Sequence, residues 1–126
     1  IYAVQSLAAG KAQGLKAIIW FGIEGWRASG MLEGGDPLPI YHAMRFFEAN
    51  ISSADFSRRI QEFPSIDGYV FTKETQEVWI LWSTDTEEHL LELTKIPSSI
   101  YNVEGREVQL PSQNLNVTIS PVIQFW

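Results

Sequence analysis

Residues 16–26 read Lys-Ala-Ile-Ile-Trp-Phe-Gly-Ile-Glu-Gly-Trp, with an uncharged run from Ala17 to Ile23. A short run without polar alternation reads as a strand covered on both faces, the kind that builds parallel sheets. Such a strand needs neighbours, because its backbone donors and acceptors must be paired. No second run of this kind, flanked by helices, occurs in the chain. Three expectations follow: the strand joins a sheet formed downstream, or another chain supplies its neighbours, or these residues are the tail of a larger protein.

Working outward from the run, residues 2–14 carry helical spacing. Ile1, Val4, Leu7, Ala8, Ala12 and Leu15 fall on one face, and Gly14 is placed to stop the helix. After the run, Gly25, Gly30, Gly34 and Gly35 mark residues 24–36 as a loop. Asp36-Pro37 reads as an N-cap followed by first-turn proline, opening a helix that ends at Ala49. Ile40, Ala43, Met44 and Phe47 form its apolar stripe. Beyond Asn50 the period becomes alternating, with short strands expected at 56–63, 69–72, 78–83, 89–93, 99–103, 106–110, 115–120 and 122–126. Turn-rich tetrads such as Lys73-Glu74-Thr75-Gln76 separate them. The expected fold class is therefore α+β: a helix–strand–helix piece over 1–51, then a mostly antiparallel β-sandwich over 54–126.

Composition narrows the function. Nine basic against fifteen acidic residues give a net charge of −6, and the one basic doublet is Arg58-Arg59, which sets nucleic acid aside. No apolar run approaches the ~18 residues of a membrane span. There is no cysteine, and His42 and His89 lie on different elements, so no zinc site and no cofactor is expected. Five Trp, four Tyr and seven Phe are many for 126 residues. Plain core is the first reading of that richness; contact with the apolar face of a sugar ring is the second.

Trp20-Phe21-Gly22, Ile40-Tyr41-His42-Ala43-Met44-Arg45-Phe46-Phe47, the stretch YVFTKETQEVWILWST at 69–84 and NLNVTISPVIQFW at 114–126 together resemble the C-terminal end of (β/α)8-barrel glycoside hydrolases. The match lies in packing motifs and covers nearly the whole chain. The resemblance implies that 17–23 is the eighth barrel strand and 37–49 the eighth helix, and that the sandwich packs on the barrel's side. It also implies that the two catalytic carboxylates lie upstream of Ile1, so no hydrolysis is expected from this chain alone. A barrel has about 250 residues, of which this chain would supply the last unit.

Part of a sugar site would remain. Strand alternation sets Trp20, Gly22 and Glu24 on one face and Ile19, Phe21 and Ile23 on the other. Barrel sites open at the C-terminal strand ends, so Trp20 is the candidate for stacking on the sugar, Glu24 for binding a hydroxyl, and Trp26 for a further contact. The plainer readings are a core Trp20, a solvated Glu24 and a loop-packing Trp26. Glu33 and Asp36 lie further along that loop, Asp36 reading as a helix cap. Trp79 and Trp82, three apart on a strand, point to opposite faces. His42 reads as a packing residue and His89 as part of a solvated turn. Asn50-Ile51-Ser52 and Asn116-Val117-Thr118 match the glycosylation tripeptide. Two other functions fit the same sequence: a carbohydrate-binding β-sandwich module, which needs several coplanar exposed aromatics, and an interaction domain that self-associates through 17–23. Nothing in the sequence fixes cellular location.

Overall fold

The computed structural model describes residues 2–19, 22–24, 30–109, 116–119 and 124–125. They form an α+β fold of two helices and several antiparallel sheets, mostly strands. Helix α1 spans Tyr2–Ala12 and α2 spans Pro39–Ile51. A small hairpin, β1 (Leu32–Glu33) with β2 (Asp36–Pro37), precedes α2. The strands that follow are β3 (Asp55–Ile60), β4 (Ile66–Lys73), β5 (Gln76–Ser83), β6 (His89–Glu92), β7 (Ile100–Asn102), β8 (Glu107–Val108), β9 (Asn116–Ile119) and β10 (Gln124–Phe125). One sheet runs β3-β4-β5-β10-β7-β8, and a separate ribbon pairs β6 with β9. The last described strand, β10, thus lies between β5 and β7, well inside the sheet.

The alternation of β4 and β5 sorts their side chains onto two cores. Phe71, Ile80 and Trp82 face the helices, where they meet Val4, Ala8, Ala43, Phe47, Ile51 and Phe125. Val70 and Leu81, offset by one residue, face the ribbon with Leu91, Val117 and Ile119. The layers are therefore helices, sheet and ribbon. Each large apolar side chain buried this way contributes roughly 1.5–3 kcal/mol. Gly68 sits where β4 and β5 approach closely; a Cβ there would overlap the Ile80 carbonyl oxygen on the facing strand.

The two helices run in the same direction. Ala3 and Val4 at the start of α1 share an apolar groove of about 330 Å³ with Pro39, Ile40 and Ala43 at the start of α2. At the other ends, Lys11 Nζ donates to the Ser52 carbonyl at 2.9 Å. Parallel adjacent helices require the chain between them to travel back along the pair, a distance of ~16 Å for eleven residues at 1.5 Å each. Of the residues between the helices, the structure describes 13–19, 22–24 and 30–38. The return starts by folding back on α1: Leu15 N–H donates to the Gly10 carbonyl at 3.0 Å, and the Ile18 side chain seats where Gly10 has none.

Two expectations need correction. Residues 17–19, 22 and 23 form no strand and are exposed, Ile19 to 89% and Ile23 to 66%. An apolar run becomes a strand only beside a ladder, and among the described residues this one meets a strand only at its end, where Ile23 and Glu24 touch Leu32 of β1. Trp20 and Phe21 lie outside the described residues. Second, Asp36 does not cap α2. It is paired with Glu33 in the hairpin, and the N-cap is Leu38, extended at φ −82° and ψ 163° with no side-chain cap. Pro39 explains the shift: proline holds the preceding residue extended and is itself suited to the first turn. The helix accordingly starts two residues late and runs to Ile51. None of the described helices is long and apolar enough to cross a membrane.

Candidate functional site

The segment that carries the sequence candidates is organised by its backbone. Gly22 has φ +104°, a conformation that favours glycine. The Ile23 carbonyl accepts from the Met31 and Leu32 N–H groups at 2.8 and 3.0 Å, and Glu24 forms an isolated parallel bridge with Leu32. Leu38 N–H in turn donates to the Met31 carbonyl at 2.8 Å. The β1–β2 turn consists of Gly34 and Gly35, both with positive φ. These contacts tie residues 23 and 24 to the β1–β2 hairpin, a tongue standing before α2. Glu24, Glu33 and Asp36 are all exposed on it, and Glu33 lies opposite Asp36. Glu24 is thus brought beside the hairpin that bears the other two acids. Trp20 and Trp26 lie outside the described residues. Among the described residues no group of His, Asp and Glu is arranged to hold a metal ion.

The aromatics of the sheet are engaged in packing. Trp82 is buried against the helix side and Trp79 lies against the ribbon side, so the two do point to opposite faces. The Arg58 guanidinium lies 5.2 Å from the Trp79 ring centre, and the indole N–H donates to Glu77 at 3.1 Å. Arg58 is itself held by Glu62 at 2.7 Å. A sugar platform needs an open ring face; here a cation occupies it. Tyr69 contacts Phe56, Phe71 and Trp82 with ring centres 5.8–6.4 Å apart and tilted or edge-on geometry, not as a coplanar row. His42 is exposed on α2, edge-on to Tyr41, where the sequence suggested packing.

A polar cluster that the sequence reading treated only as a turn stands at the end of β5. Asp85 Oδ1 accepts from the Ser83 hydroxyl at 2.8 Å and the Glu87 N–H at 2.9 Å, and lies 2.8 Å from His89 Nε2. These donors, His89 foremost, hold the Asp85 carboxyl well below the usual carboxylate range. Serine, aspartate and histidine together invite comparison with a nucleophile triad. In a triad the imidazole bridges serine and carboxylate so that it can take the serine proton. Here the carboxylate is in the middle, and both serine and histidine are bound to it. That order fixes a turn and activates no nucleophile. No short spacing rule distinguishes this aspartate from an ordinary turn aspartate, which is why sequence reasoning passes over it.

Comparison with protein families, with curated proteins and with solved structures finds no match to this chain.

Proposed function

We propose that this chain is the C-terminal part of a (β/α)8-barrel glycoside hydrolase, contributing the last barrel unit, a β-rich side domain and part of the sugar site. The observation that carries this reading is the exposed apolar return between two parallel helices. Helix, return strand, parallel helix is the repeating unit of a barrel wall, and the return is apolar because neighbouring strands and both layers cover it. In that setting residues 17–23 are the eighth strand, and the tongue with Glu24, Glu33 and Asp36 stands at the strand's C-terminal end, where barrel sites open. Trp20 stacks on a sugar ring, Glu24 accepts a hydrogen bond from a hydroxyl, and Trp26 adds a rim contact.

The catalytic carboxylate pair comes from the remainder of the enzyme. It cleaves the glycosidic bond through an oxocarbenium-like transition state, one carboxyl protonating the leaving oxygen. The test begins with the gene: a reading frame continuing upstream through a barrel's worth of alternating strands and helices is expected. The parent protein is then assayed on aryl glycosides beside its Trp20→Ala and Glu24→Gln variants. Loss of a stacking or hydroxyl contact is expected to lower kcat/KM by about 10- to 100-fold, that is ~1.4–2.8 kcal/mol. A reading frame without barrel units upstream, or a parent inert on every aryl glycoside, would sink the proposal.

A further inference from the structure

We propose that the β6–β9 ribbon is a separately opening layer, clasped to the sheet by the single carboxylate of Asp85. The ribbon is held from beneath by apolar contact: Leu91, Val117 and Ile119 rest on Ile60, Ile66, Val70 and Leu81. Its own ladder has four residue pairs, His89–Ile119 through Glu92–Asn116. A two-stranded ribbon of that size does not hold its shape in water without support. Its outer face is solvated, with Leu90, Glu92 and Thr118 exposed. Polar attachment is concentrated at one corner. Among the described residues, His89 to Asp85 is the one side-chain hydrogen bond made by either ribbon strand.

That corner is built to be fixed to the sheet. Ser83, the last residue of β5, is buried, and its hydroxyl donates to Asp85. Thr84 N–H donates to the Ser65 carbonyl at 2.8 Å, tying the corner to the turn between β3 and β4. Ser65 holds a positive φ of 58°, a conformation that a non-glycine residue keeps only when its surroundings impose it. Asp85 Oδ1 therefore joins the end of the sheet, through Ser83, to the beginning of the ribbon, through His89. Among the described residues, release of that one atom leaves the ribbon's side chains attached by apolar contact, beside chain connectivity. Opening would uncover the sheet face that carries Val70 and Leu81.

Native-state hydrogen exchange on the full chain, resolved by peptide mass spectrometry, tests this. In the wild type, amides of 90–92 and 117–119 are expected to exchange faster than those of 69–71 and 79–81. Asp85→Ala is expected to speed the ribbon amides a further 10- to 100-fold or so while leaving the sheet amides unchanged, the range for losing a hydrogen bond to a charged group. His89→Ala is expected to speed the ribbon, and His89→Gln, which keeps a donor, to restore it. One common rate for ribbon and sheet in the wild type would overturn the proposal, as would equal acceleration of both in Asp85→Ala. Where Asp85→Ala does not fold, the two His89 variants decide: ribbon rates equal to wild type in His89→Ala would overturn it.

Discussion

Asp85 shows how one residue can set the acid tolerance of a turn. Its carboxyl is held below the ordinary value of 3.8 by His89 first, then by the Glu87 N–H and the Ser83 hydroxyl. A depressed carboxylate stabilises the folded state above its ordinary value, and that contribution disappears as pH falls toward the folded one. Asp85→Asn removes the effect with little change of shape. The wild type is therefore expected to melt higher than Asp85→Asn at pH 7, with the gap closing as the pH drops below about 4. Thermal melts of both proteins across pH 3–7 check this; a gap that stays constant through the range would show that the charge of Asp85 has no part in it. The comparison of two proteins matters because other carboxylates titrate in the same window.

Among the elements, α2 joins the two halves of the chain. Its Phe47 and Ile51 are buried in the core formed with Phe71, Ile80 and Phe125, so the helix belongs to the sheet's interior as well as to the helix pair. Phe47→Ala is expected to destabilise the fold by about 3–5 kcal/mol, measured by urea denaturation with an unchanged slope. A cost under about 1 kcal/mol would mean that α2 is only loosely applied to the sheet. The stripe of Ala43 and Phe47 was legible in the sequence because helical period and burial agree there. β4 and β5 were legible for a similar reason: alternation and the Lys73–Gln76 turn mark them together. Strand order was not. Nothing local places β10 between β5 and β7, or pairs β6 with β9, since those choices are made by distant partners. Composition marks the run at 17–23 as a strand, yet composition carries no information about whether a neighbour is present. The candidate site was legible to the same partial extent. Glu24 could be named from its position after an apolar run, but the hairpin contacts that shape its surroundings depend on Gly34, Gly35 and the Leu32 bridge acting together.

For the molecule as a whole, Leu15, Ile19 and Ile23 leave apolar side chains in water along one stretch. Isolated from covering partners, such a stretch drives association. The 126-residue chain is expected to sediment as species larger than a monomer at high concentration, and Ile19→Lys with Ile23→Lys is expected to return it to a monomer. A wild-type chain that stays monomeric in light scattering would show that the stretch is no interface.

The position of β10 reaches further than packing. Phe125 is 1% exposed and meets Phe46 edge-on, so it completes both the sheet and the helix side of the core. During synthesis the ribosome delivers β3, β4 and β5 long before β10 emerges. Until then the growing chain displays a raw edge on β5 and an unfilled space beneath α2. The sheet and the core beneath α2 are consequently complete only once residues 124–125 have left the exit tunnel, and an unfinished sheet of that kind is open to aggregation in the interval.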